Sequence, residues 1–214
     1  MTTLAPDALL DASVARLREV VAAAEPTLTA LDETSGDGDF GTNLDDGLAR
    51  TTDLVARGDG PPWTVLRAVF LDEVGGTSGP LFGLLFQAVG LAAGSGTYTE
   101  VLTAGLAEGL AAIQRVGEAE VGDRTLVDAL APAVAALDDG RDAATMLAAA
   151  VDGALATASI RARRGRASYL GDRAVGSPDP GAVGVALLLS VLAEPEVGVE
   201  AAAAERARLL GGGS

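Results

Sequence analysis

"AVGVALLLSVLA", Ala182–Ala193, is the stretch that decides the fold. Its one polar side chain is Ser190. The run is too short to span a bilayer, which takes about 20 apolar residues. It shows no period-2 alternation, so it reads as a helix buried inside a protein core. A helix apolar all round needs neighbours on every side. The composition supplies them: of 214 residues 49% are hydrophobic, but only 3% are aromatic. The core must therefore rest on Ala, Leu and Val. Ala and Leu are strong helix formers, and small side chains let helices approach closely. The expectation is an all-α protein.

Reading outward from that helix gives nine candidate segments on short connections, which read as a barrel of about eight helices. The first is expected over residues 6–24, with Pro6 at its start and Leu10, Val14, Leu17 and Val21 at helical spacing. Residues 26–39 read as a break containing one short helical turn. Further helices are expected over 42–56, 61–74, 81–93, 99–116, 122–137 and 141–164. A polar Gly/Pro-rich segment, 165–180, precedes the closing pair, 181–193 and 196–209. No strand and no internal repeat stands out. Short connections make neighbours antiparallel. The economical architecture is an eight-helix antiparallel up-and-down barrel spanning 1–210, followed by a flexible tail, 211–214. In it the odd-numbered connections collect at one end.

The charge balance and the missing residue types narrow the chemistry. A formal net charge of −15 argues against nucleic acid or an anionic membrane as partner. The chain has no cysteine, no histidine and no lysine. Thiolate metal sites, imidazole bases, Schiff bases and a Walker A lysine are thereby excluded. Chemistry is left to carboxylates, hydroxyls, arginine, backbone amides and any metal the carboxylates hold. With no basic n-region followed by an apolar run at its start, the chain is expected to be cytoplasmic.

Four connections are unusually rich in glycine: "DETSGDGDFGTN" (32–43), "GGTSGP" (75–80), "VGDRT" (121–125) and "GRASYLGDRAVGSPDPGA" (165–182). Glycine ahead of a helix lets amides approach a ligand, and a helix N-terminus favours anions. The first connection carries Asp32, Asp37 and Asp39. A calcium loop needs a glutamate at its twelfth position; counted from Asp37 that is Leu48, from Asp32 it is Asn43. A phosphatase aspartate would end a buried parallel strand, which "TLTALDETSG" is not. Two readings remain: a solvated acidic turn capped by Asp39 and Thr42, or magnesium ions held against a polyphosphate. Thr77 and Ser78 could cradle a phosphate or merely cap a helix. Asp123 reads as a cap and Arg124 as a surface charge. Arg161, Arg163, Arg164 and Arg166 form a basic patch.

Together the segments "GDGDFGTNL", "GGTSGPLFG", "GDRTLVDALAPA" and "GRASYLGDRAVGSPDPGA" resemble, in order, those of the L-type, ADP-binding subunit or domain of dihydroxyacetone kinases. The resemblance covers about residues 5–210. It implies an eight-helix barrel with the nucleotide at one rim. It implies two Mg2+ ions on Asp32, Asp37 and Asp39 against the phosphates of ADP or ATP. It places Phe40, Gly41, Thr42, Asn43, Thr77 and Ser78 near phosphate and ribose. Gly122, Leu126, Arg166, Asp179, Pro180 and Gly181 would surround the rest of the nucleotide. Phe40 departs from the family's usual histidine, and Leu126 from its common methionine. In this family a histidine on a separate K-type subunit or domain holds the ketone. This chain would then be half of a phosphotransferase acting on dihydroxyacetone or a related small ketose. It would use exchanging ATP, or a resident ADP recharged by a phosphotransferase-system donor subunit. The alternative is a nucleotide-binding module that docks on a partner without catalysis.

Overall fold

The computed structural model describes residues 4–94, 96–169 and 174–211; the Arg166 side chain lies outside that description. The tail expected at 211–214 falls, from residue 212 on, outside it too. All regular structure among the described residues is helical: α1 (Pro6–Glu33), α2 (Phe40–Arg57), α3 (Pro62–Asp72), α4 (Ser78–Ala92), α5 (Tyr98–Gly117), α6 (Val127–Asp138), α7 (Ala143–Ala156), α8 (Pro180–Val197) and α9 (Val199–Leu209). Each of the nine helical segments read from the sequence has its counterpart among these helices, one more than the eight-helix barrel needs. Each of α1–α8 packs on the next, and α8 returns to pack on α1, which closes a ring. The ninth lies against α7 and α8.

The position of α9 explains the sequence of α8. Every residue from Pro180 to Ala193 is buried, because α1, α6, α7 and α9 all pack on this helix. By length and composition alone α8 could cross a membrane, with mean hydropathy 1.4 over 18 residues; 78% of that window is buried inside the fold. Its C-terminal end is tied to its neighbours by charge. Glu194 pairs with Arg16 of α1 at 3.1 Å and with Arg206 of α9 at 2.8 Å. The Tyr98 hydroxyl at the start of α5 donates to the Leu192 carbonyl at 2.9 Å.

Several boundaries differ from the sequence reading, and those of α1 and α5 have a clear physical reason. Helix α1 does not break at Pro26 but runs to Glu33. Its buried stripe Leu10, Val14, Leu17, Val21, Ala24, Leu28 continues past the proline at helical spacing. Burial of that stripe outweighs one missing N–H bond. The same stripe carries Asp32 inward. Helix α7 ends at Ala156, followed by a 3-10 turn at Thr157–Ser159, instead of reaching Arg164. Helix α5 begins one residue earlier than expected: Thr97 and Glu100 form a reciprocal capping box.

Close helix contact depends on missing side chains. A Cβ at Gly105 of α5 would lie 2.6 Å from the Val89 Cα of α4. One at Gly153 of α7 would lie 2.2 Å from the Asp128 carbonyl oxygen of α6.

Candidate functional site

Helix alternation brings the connections α1–α2, α3–α4, α5–α6 and α7–α8 to one end, where they surround an open cleft of about 1250 Å3, measured out into solvent. These are the four glycine-rich segments. No described residue of the even-numbered connections lines it. The cleft floor is apolar and reaches the core at Leu44, Phe70, Phe82, Ile113 and Val127.

One wall is acidic. Asp32, Asp37 and Asp39 all line the cleft. Asp32 is buried, and its Oδ2 accepts the N–H of Phe40 at 3.1 Å, so it caps α2 from eight residues upstream. Asp39 occupies the N-cap position but makes no side-chain cap bond. The capping expected of Asp39 is absent, and a side-chain bond to the start of α2 comes from Asp32. Thr42 is turned aside: its hydroxyl donates to Glu25 of α1 at 3.2 Å, and Glu25 also accepts from Thr29 at 2.8 Å. A Cβ at Gly36 would sit 2.2 Å from Asp32 Oδ1, so only glycine lets the loop fold over this carboxylate. Among the described residues no three acidic side chains cage an ion by themselves. Magnesium does not require that; it takes one or two carboxylates and completes its octahedron with water and phosphate oxygens. The hard-oxygen donor set fits such an ion.

Phe40 is half-buried at the root of this wall. Its ring centroid is 6.2 Å from that of Phe82, and its edge abuts Gly184 of α8. The ring is a packing element, and the contact to Asp32 is made by its backbone.

The second wall is the start of α4. Thr77 stands at the N-cap position without a side-chain cap bond, and Gly75, Gly76, Thr77 and Ser78 line the cleft. The ordinary capping role weighed for this turn is not what the structure contains. An uncapped N-terminus of a 15-residue helix presents amides and a positive dipole end.

The third wall joins two segments. The α5–α6 connection is shaped by Asp128, which is buried and accepts N–H bonds from Gly122 at 2.6 Å and Thr125 at 2.8 Å. The α7–α8 connection is fastened to it: Arg163 N–H donates to the Asp123 carbonyl at 3.0 Å, and Arg124 Nη2 to the Ser177 carbonyl at 3.0 Å. Arg164 lines the cleft and reaches Glu118 at 3.4 Å. Asp123 does not cap α6; its carboxylate accepts the Glu120 N–H at 3.0 Å. Arg124 is not a surface charge. It is 1% exposed, lines the cleft, and has a left-handed backbone with φ of 62°. The sequence offered no signal of this, because a left-handed arginine next to a glycine reads as an exposed turn.

Asp179 caps α8 by accepting the Ala182 N–H at 2.8 Å, and its own N–H donates to Thr157 Oγ1 at 2.8 Å. Desolvation pushes its carboxyl up to about 6, with the like charges of Asp128 and Asp32 adding to the rise; the Ala182 N–H and the Arg124 guanidinium oppose it. The folded chain therefore holds this proton more tightly than the unfolded chain. The contribution to stability is full below the ordinary carboxyl value of 3.8 and is lost as pH rises through about 6. Asp179→Asn keeps a good N-cap and removes the titration. Its melting temperature should exceed the parent's by a margin that opens between about pH 4 and 6 and is flat above about pH 7. A margin independent of pH would show that Asp179 is not desolvated.

Of the residues singled out in the sequence, Asp32, Asp37, Asp39, Phe40, Asn43, Thr77, Ser78, Leu126, Asp179, Pro180 and Gly181 share the cleft. Gly41, Thr42 and Gly122 do not line it. The Arg166 side chain falls outside the described residues.

An all-helical domain whose odd-numbered connections build an acidic, glycine-rich cleft defines the class. Comparison with known proteins supplies the family: residues 34–194 match the DAK2 domain, and the chain belongs to that family. It is 34% identical over 175 residues to the ADP-binding subunit DhaL of a PEP-dependent dihydroxyacetone kinase of Listeria innocua, covering 79% of this chain and 87% of that protein. It is 37% identical over 191 residues to L-erythrulose 1-kinase of Mycolicibacterium smegmatis, covering 83% of this chain but 34% of that protein. The chain thus spans about a third of that kinase and most of the DhaL subunit. Among solved structures, the dihydroxyacetone kinase of C. freundii in complex with AMP-PNP and Mg2+ superposes with a TM-score of 0.67 at 30% identity, over 88% of this chain and 34% of that one.

Proposed function

We propose that the chain is the nucleotide- and magnesium-binding part of a cytoplasmic kinase for dihydroxyacetone or a related small ketose, and that the ketose is held on a separate K-type subunit. The carrying observation is the convergence of all four glycine-rich connections on one cleft, with carboxylates on one wall and an uncapped helix start on another. Relatives named as ADP-binding subunits and as kinases support the same reading.

In this reading Asp32, Asp37 and Asp39 hold two magnesium ions. Magnesium at that wall would neutralise the phosphate charge of the nucleotide. The amides of Thr77 and Ser78 and the side chain of Asn43 meet the phosphates. Gly41, Thr42 and Gly122, which do not line the cleft, act by shaping the loops that do. Leu126, Pro180 and Gly181 flank the base, with Asp179 at the same wall, and Arg166 is assigned to the nucleotide from the sequence resemblance alone. Phosphoryl transfer asks a protein for position and charge more than for a nucleophile, which suits a chain lacking His, Cys and Lys. Transfer to the ketose requires the K-type partner, and the resident-ADP mode requires a phosphotransferase-like donor as well.

The test has two arms. ADP with magnesium at a hundredfold excess over Kd should stabilise the fold by about 2.7 kcal/mol, a rise in melting temperature of roughly 5–10 °C for a chain of this size. Ketose phosphorylation should appear only when a K-type subunit is added. Absence of any thermal shift sinks the nucleotide site. Binding without turnover in the reconstituted pair would make the chain a docking module.

A further inference from the structure

The Arg124 guanidinium is the most anomalous group in the molecule. It is 1% exposed in a chain of net charge −15, and it lines the cleft. Only Nη2 is satisfied, by the Ser177 carbonyl at 3.0 Å; Nε and Nη1 are buried and have no hydrogen-bond partner among the described residues. A buried charge with unmet donors is costly, and proteins keep such groups where a partner arrives. Arginine stays protonated at neutral pH. Asp179, its neighbour of opposite charge, already accepts the Ala182 N–H and makes no ion pair with it within 4 Å.

What is missing is an acceptor with more than one oxygen and a negative charge. The two free donors, Nε and Nη1, diverge by about 120°, so they suit two separate anionic oxygens, as a chain of phosphates presents, better than the paired oxygens of one carboxylate. Two features bias the choice towards phosphate. The uncapped start of α4 lines the same cleft and favours an anion there. The α5–α6 connection that carries Arg124 is stiffened on both sides: Asp128 holds Gly122 and Thr125, and Ser177 holds Nη2. The side chain is thus held in place before any ligand binds, so little entropy is lost when it meets one.

We infer that Arg124 is a phosphate-binding residue of the cleft, which donates from Nε and Nη1 to the phosphate chain of the bound nucleotide while Nη2 stays on the Ser177 carbonyl. The inference rests on the nucleotide reading above. It gives the acidic, magnesium-favouring wall a cationic counterpart across the cleft, made by a residue whose sequence context suggests only a turn.

The test compares ligands that differ only in phosphate. ADP, AMP and adenosine would be titrated in magnesium, by calorimetry or, for weak binding, ligand-observed NMR, against the parent and Arg124→Gln. The expected result is a roughly 10- to 100-fold loss of ADP affinity, the worth of charge-assisted hydrogen bonds, with adenosine affinity unchanged. Arg124→Lys should recover part of the ADP affinity, because the charge remains while the second fixed donor is lost. Equal ADP affinity in parent and Arg124→Gln overturns the inference. So does an equal loss for ADP and adenosine, which would make Arg124 only a fastener between the two connections. If Arg124→Gln does not fold, the ADP-to-adenosine ratio of Arg124→Lys decides on the same criterion. A parent chain that binds no ADP defeats the nucleotide reading itself and this inference with it; a parent that binds and an insensitive variant defeat the inference alone.

Discussion

Replacing Asp37 or Asp39 by alanine is expected to abolish magnesium-dependent ADP binding while leaving the helix content unchanged. Both carboxylates are exposed and line the cleft, and Asp39 makes no cap bond to α2. Neither is buried in the core, so either can be removed without leaving a cavity. The loss of affinity should exceed roughly 100-fold, since even outer-shell partners of a metal ligand are worth 10- to 100-fold. Asp32→Ala provides the contrast. Asp32 is buried and accepts the Phe40 N–H, so its removal should cost stability as well, about 1–2 kcal/mol for a lost cap. Calorimetry with ADP and magnesium, beside circular dichroism and melting curves, separates the two patterns. An Asp37→Ala or Asp39→Ala variant that binds like the parent would defeat the metal assignment.

The second large effect lies far from the metal wall. Gly153→Val should destabilise the fold by about 3 kcal/mol, at the upper end for overpacking, and lower the melting temperature by roughly 6–12 °C. A Cβ there would stand 2.2 Å from the Asp128 carbonyl oxygen and 3.0 Å from Pro132 Cγ. The nearest obstacle is backbone, which cannot rotate away, so α6 and α7 must separate. Asp128 would move with α6, and its carboxylate holds the Gly122 and Thr125 amides. The variant should therefore bind ADP more weakly even below its melting temperature. A Gly153→Val protein with parental stability would show that the α6–α7 contact yields easily.

Much of the molecule can be read locally. The buried character of α8 follows from an apolar run with no alternation. The gathering of the glycine-rich segments at one end follows from the parity of short connections, once the chain is known to be helical. The acidic turn and the "GGTSGP" turn announce themselves by composition. Each of these readings needs only neighbours in the chain.

Other features depend on distant groups. Pro26 looks like a break because one proline is visible in the sequence, while the burial that keeps α1 continuous is supplied by helices elsewhere in the ring. Asp39 looks like the cap of α2, yet its side chain makes no cap bond, and the first amide of the helix is held by Asp32, whose reach across the turn depends on α1 continuing to Glu33. Arg124 looks like a surface charge, and only the α7–α8 connection folding over it makes it a buried cation. Local pattern and composition thus determined the helices, their order and the end of the ring at which the cleft forms. Tertiary packing alone decided which polar groups are desolvated and which donors stay unmet, because desolvation and hydrogen-bond partners depend on residues far apart in the chain.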